Sequence, residues 1–140
     1  LPVQTDRRLR ERNIGNWQGM NINEVRAWFP DQYAAYMDDR LGYAIPEGES
    51  LQVVRTRMLD AFQDIVIDSE VSTLAIVAHT VSVRILIAAL VPDYQPMDIK
   101  MGNTAVTTTE HNNDAWIIRV SNDIEHLQGM ISRSVSDLEV

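Results

Sequence analysis

The chain has 140 residues, 45% of them apolar, and a formal charge of −8 from twelve Lys and Arg against twenty Asp and Glu. That length suits one core and that composition suits a folded one, while the acidic balance argues against nucleic acid or an anionic membrane as partner. The absence of cysteine removes disulfides, thiolate-bound zinc and thiol catalysis.

Taken in chain order, Leu1–Thr5 reads as a short strand, followed by the charged segment Asp6–Asn13. Ile14–Met20 (IGNWQGM) places two glycines around Trp17 and reads as a loop. Asn21 or Asn23 can cap a short helix that Pro30 closes, and Asp31 can cap another running to about Asp38. Leu41–Glu49 (LGYAIPEGE) is a loop, and Ser50 caps the clearest helix. Leu51, Val54, Met58, Ala61, Phe62 and Ile65 recur there with the 3.6-residue period, which predicts one face on a core.

Thr73–Val91 is mostly apolar but contains His79 and Arg84. An arginine near the centre of a membrane span costs about 2.5–3.5 kcal/mol on insertion scales, which favours another reading. Thr73–Ala78 is expected as a strand covered on both faces, His79 and Thr80 as a turn, and Val83–Leu90 as a largely buried helix. Ala105–Thr109 and Ala115–Val120 are β-rich runs around His111–Asp114 (HNND), a predicted hairpin turn. From Ser132 onward the chain is polar and is expected to be a loose tail. Alternating helices and buried strands make the class α/β.

Two residues stand out as candidates for chemistry. His79 follows an apolar strand and precedes a helix, the edge where open α/β sheets bind ligands. The N–H groups of Thr80, Val81 and Ser82 would be free there to hold an anion. The plain alternative is a strand-end histidine satisfied by a backbone carbonyl. Glu11 lies between Arg10 and Arg12, just before the glycine-containing loop. It is a candidate general acid or, if both arginines approach it, an ordinary surface charge. His111 and His126 are expected to be solvated. HExxH, EF-hand, Walker, GxGxxG and GxSxG patterns are all absent, so no metal and no other cofactor is expected.

Four segments together resemble the histidine phosphatase (phosphoglycerate mutase-like) superfamily. Arg8–Gly19 (RLRERNIGNWQG) resembles its L-x-E-x-x-x-G-x-W-x-G stretch, and Pro46–Ser50 (PEGES) its P-x-G-E-S loop, with Arg55 or Arg57 in the following helix. Ala75–Leu90 resembles the strand and helix holding the second active-site histidine, and Asn103–Leu127 the closing strands. The resemblance implies a three-layer αβα fold and a small phosphorylated substrate. It also implies a phosphohistidine intermediate formed by the histidine of an R-H-G motif. By the same resemblance His79 stabilises the transferred phosphoryl group and Glu11 protonates the leaving oxygen; Thr80, the substrate-binding candidate through its N–H at the helix start, stands where many members have glycine. Trp17 and Arg84 match positions read as structural, one for packing and one for polar partners.

No R-H-G occurs in these 140 residues, whose histidines are His79, His111 and His126. Leu1–Val3 resembles a point well inside the family domain, so residues 1–131 are expected to be the C-terminal portion of an N-terminally incomplete domain, with 132–140 as tail. Under that expectation the strand ending at His79 exposes an edge and apolar surface. The short stretch between Glu11 and His79 lacks the insertion typical of the mutase branch, which favours a cytoplasmic phosphomonoesterase, inactive as this fragment. A truncated scaffold acting as a binding module is the competing expectation.

Overall fold

The computed structural model describes residues 3–67, 72–96, 99–112 and 114–129. The expected tail at 132–140, and Leu1 and Pro2 of the expected first strand, lie outside them. Short 3₁₀ turns at Arg7–Leu9 and Gly15–Trp17 precede helices α1 (Ile22–Trp28), α2 (Pro30–Asp38), α3 (Leu51–Ile67) and α4 (Thr80–Leu90). Strands β1 (Val106–Asn112) and β2 (Ala115–Asp123) follow, then a 3₁₀ turn at Glu125–Leu127. The α/β class holds, and the sheet found among the described residues is the antiparallel β1–β2 hairpin.

Asn21 is the cap of α1. Its side chain accepts from the Asn23 and Glu24 N–H groups while the Glu24 carboxylate accepts from the Asn21 N–H, a closed capping box. Pro30 ends α1 and also opens α2, since a proline at the first helical position loses no helical hydrogen bond. The α2 cap is therefore Phe29, and Asp31, expected as the cap, stands in the first turn, where the helix dipole favours its charge. Ser50 Oγ accepts from the Val53 N–H at 3.2 Å and opens α3 as expected.

The predicted α3 face is buried. Leu51, Val54, Met58 and Phe62 form one cluster with Ile85 and Leu86 of α4, and Trp116 of β2 packs on Phe62 edge-to-face at 5.2 Å. Each such fully buried side chain contributes about 1.5–3 kcal/mol, so α3 and α4 are held together chiefly by this seam. A second cluster gathers Trp17, Val25 and Ile45 under Tyr36, Tyr33 and Phe29. Trp17 has the packing role expected of it, 5% exposed with its ring edge-to-face on Tyr36.

Three expectations are corrected. Val3–Thr5 form no strand. Thr73–Ala78 is not covered on both faces: it carries no ladder among the described residues, and Leu74 and Val77 are 42% and 91% exposed. A run rich in apolar residues has the propensity for a strand, but pairing needs a neighbour from elsewhere in the chain. The apolar surface that the resemblance leaves uncovered is exposed at Leu74 and Val77, but it belongs to no strand among the described residues. Finally, His111 and Asn112 belong to β1, paired with Trp116 and Ala115, because the two strands continue pairing almost to the tip of the hairpin.

Candidate active site

The site begins with α4. His79 is the residue immediately before the helix, in extended conformation (φ −104°, ψ 163°), with an exposed ring and no capping hydrogen bond from its side chain. Thr80, half-buried, is the first helical residue. The N–H groups that follow are not free. The Glu11 carboxylate accepts from the Val81 N–H at 3.2 Å, the Ser82 N–H at 3.2 Å and the Arg12 N–H at 2.8 Å, and Ser82 Oγ, whose one proton goes to the Arg10 carbonyl at 2.6 Å, lies 3.2 Å from it. The anion at this helix start is therefore the protein's own carboxylate, which corrects the expectation of an open anion site across Thr80, Val81 and Ser82. The same contacts bring Glu11 and His79, far apart in sequence, to one end of one helix.

Neither flanking arginine pairs with the Glu11 carboxylate. The Arg10 guanidinium donates to Glu49 Oε1 at 2.5 Å, and Arg12 Nε donates to the Glu49 carbonyl at 2.9 Å while its guanidinium carbon lies 5.7 Å from the Tyr36 ring centre. Glu11 is thus not the surface charge balanced by neighbours that sequence proximity suggested.

The backbone beneath Glu11 is fixed by Arg57, the one of the two α3 arginines that reaches it. Arg57 is 9% exposed and makes five hydrogen bonds, the full donor set of a guanidinium. Two go to the Glu49 carboxylate at 2.9 and 3.0 Å. Three go to backbone carbonyls, of Arg8 at 2.5 Å, Arg10 at 2.9 Å and Glu11 at 3.2 Å. Glu49 also accepts from the Asn13 N–H at 3.0 Å. Burial pushes the Glu49 carboxyl up, but the hydrogen bonds from Arg57 and Asn13 and the charges of Arg57 and Arg10 outweigh it and hold the group below the usual glutamate range.

Gly15 and Gly48, where the two loops meet, have a steric reason. Gly15 sits at φ +50°, and a Cβ there would lie 2.0 Å from the Pro46 carbonyl oxygen. This close approach lets the Asn16 N–H donate to Pro46 O at 3.1 Å and the Glu49 N–H to Asn13 O at 2.8 Å. Those bonds zip the segment after Glu11 onto the PEGES loop.

Glu49, Arg57 and Ser82 are the functional-site residues that sequence reading left without a role. Ser82 had a signal: it is a lone hydroxyl between valines in an apolar helix, and it is 0% exposed. A buried hydroxyl requires a partner. Arg84, expected to face polar partners, has its buried Nε without one among the described residues. A pocket of about 200 Å³ lies in the Trp17 cluster, lined by Arg12, Ile14, Trp17, Met20, Val25 and Tyr36 among others, and by neither Glu11, His79 nor Thr80. No group of three or more His, Asp or Glu among the described residues is placed to hold a metal ion, and no helix there is long and apolar enough to cross a membrane.

Comparison with known proteins gives the family context. The family described as the histidine phosphatase superfamily (branch 1) matches residues 1–124. Phosphoglycerate mutase-like protein 4 of Arabidopsis thaliana is 33% identical over 130 residues, covering 91% of this chain and 56% of that protein. The solved structure of Bacillus stearothermophilus YhfR superposes with a TM-score of 0.74 at 32% identity, over 87% of this chain and 62% of that one. A mycobacterial glucosyl-3-phosphoglycerate phosphatase superposes with a TM-score of 0.70 at 28% identity, over 87% of this chain and 66% of that one. The chain thus spans between about half and two thirds of the length of these relatives.

Proposed function

This chain belongs to the histidine phosphatase superfamily, and from that premise we propose that its residues supply the acid half of a phosphomonoesterase site, with Glu11 as general acid, His79 as the group stabilising the phosphoryl group in flight and Thr80 beside it. The observation that carries the reading is the seating of the Glu11 carboxylate on the first turn of the helix that His79 precedes. In the reaction, an R-H-G histidine attacks phosphorus, the bond to the leaving oxygen breaks, and Glu11 delivers a proton to that oxygen. The carboxylate left behind then takes a proton from the water that attacks the phosphohistidine, which releases phosphate and restores the acid.

The plant relative is named for phosphoglycerate mutase and the mycobacterial one for a sugar phosphoglycerate phosphatase. The short span between Glu11 and His79 favours hydrolysis over mutase chemistry, in a cytoplasmic setting. A second reading is a non-catalytic binding module, favoured by the absence of R-H-G from these residues.

The two readings separate in one experiment. The 140-residue chain alone, given p-nitrophenyl phosphate, is expected to show no turnover, because it carries no R-H-G nucleophile. A longer chain that joins the R-H-G segment to these residues is expected to hydrolyse it and to lose that activity on His79→Ala. Turnover by the short chain that vanishes on His79→Ala overturns the first expectation. A longer chain with no turnover on any phosphomonoester favours the binding module.

A further inference from the structure

Ser82 stands in the first turn of α4, three residues after His79, and is fully buried. Its hydroxyl donates to the Arg10 carbonyl at 2.6 Å and lies 3.2 Å from Glu11 Oε1, the same oxygen that accepts the Ser82 N–H at 3.2 Å. One side chain thus touches Glu11 at both ends, at the peptide before it and at its carboxylate. Arg57 holds the Arg10 and Glu11 carbonyls from the α3 side, so Ser82 supplies the matching hold from α4. Arg57 fixes the Glu11 backbone from the α3 side, and the Ser82 hydroxyl, through the Arg10 carbonyl, ties that backbone to the helix that His79 precedes, so that the carboxylate reaches the Val81 and Ser82 N–H groups.

We propose that Ser82 is a positioning residue for Glu11, setting the carboxyl group at the geometry from which it protonates the leaving oxygen. The proposal rests on the reading of Glu11 as general acid. Proton delivery matters most when the leaving oxygen becomes a strongly basic alkoxide and least when it becomes a weakly basic p-nitrophenolate. A displaced acid therefore slows alkyl phosphates selectively, whereas general damage to the site slows both substrates alike.

The test uses the longer R-H-G-bearing chain with p-nitrophenyl phosphate and a simple alkyl phosphate, comparing Glu11→Gln, Ser82→Ala and Ser82→Cys. Cysteine nearly keeps the volume of serine and replaces the hydroxyl by a weak donor, so it separates hydrogen bonding from packing and remains informative if the alanine variant fails to fold. The expected result is a fall in kcat of about tenfold or more on the alkyl phosphate for both Ser82 variants, with KM and p-nitrophenyl phosphate turnover within about twofold of wild type. Glu11→Gln is expected to show the same selectivity with a larger loss. Equal losses on both substrates for the Ser82 variants overturn the proposal, as does wild-type alkyl phosphate turnover in Ser82→Cys while Glu11→Gln is impaired. If Glu11→Gln itself shows no selectivity, the general-acid reading fails and the role of Ser82 falls with it.

Discussion

Replacing Arg57 by methionine keeps most of the apolar stem of the side chain and removes its five hydrogen bonds. The Glu49 carboxylate, whose side chain is 10% exposed, loses its bidentate partner. The Arg10 carbonyl keeps Ser82 Oγ at 2.6 Å, while the Arg8 and Glu11 carbonyls lose the guanidinium. Removing one member of a buried ion pair costs about 3–5 kcal/mol, and because the Arg10 guanidinium and the Asn13 N–H stay on Glu49 the loss is expected at the low end of that range. For a chain of this size that is a fall in Tm of about 10–20 °C. Urea unfolding followed by tryptophan fluorescence, with far-UV circular dichroism as second probe, measures it. The internal control is Asp64→Ala, which breaks an Arg8–Asp64 pair whose side chains are 37% and 59% exposed. That change should cost less than about 1 kcal/mol, since solvent screens the pair. A Glu49→Met, Arg57→Met double variant should lose less than the two single losses summed, because it leaves neither charge stranded. An Arg57→Met loss no larger than that of Asp64→Ala would refute the reasoning.

The same network sets acid sensitivity. The folded Glu49 carboxyl titrates below its ordinary value of 4.5, so the unfolded chain binds the proton first, and the stabilisation is fully present above pH 4.5 and lost as pH falls through the folded value. Urea midpoints measured from pH 6 downward should therefore fall less steeply in Glu49→Gln than in wild type below pH 4.5; parallel slopes would contradict this. Gly15→Ala puts a Cβ 2.0 Å from Pro46 O at φ +50° and should cost more than about 2 kcal/mol by thermal unfolding, backbone strain and clash together. Gly19→Ala, at φ +79° with nothing within 4 Å, should cost only the backbone strain, about 1–2 kcal/mol, and should be the milder of the two.

Local chemistry made much of the fold readable. The α3 face follows from a 3.6-residue period that only a helix satisfies, and the Asn21 and Ser50 caps follow from side chains that bond to nearby N–H groups. The PEGES loop and the IGNWQG loop were visible as motifs, but not that Gly15 and Pro46 meet. Long-range contacts were not readable for the same reason. Glu11 lies about 70 positions from Val81 and Ser82, and no periodicity signals that a carboxylate from one segment caps a helix from another. Thr73–Ala78 has the pattern of a covered strand but forms no strand among the described residues and is not covered, because pairing and burial depend on neighbours that a local pattern does not contain. Position in the sequence singled out His79 and Glu11 as candidates, resemblance gave them roles, and packing brought them to the same helix end.

Steady-state kinetics of Glu11→Gln in the longer R-H-G-bearing chain, with an alkyl phosphomonoester as substrate, probes the acid role at its source. Glutamine keeps the size of the side chain and an acceptor oxygen for one of the two α4 N–H groups while removing the transferable proton. kcat is expected to fall about a hundredfold or more with KM little changed. A Glu11→Gln enzyme that retains the wild-type kcat would show that the carboxylate seated on α4 is a helix cap and not the acid.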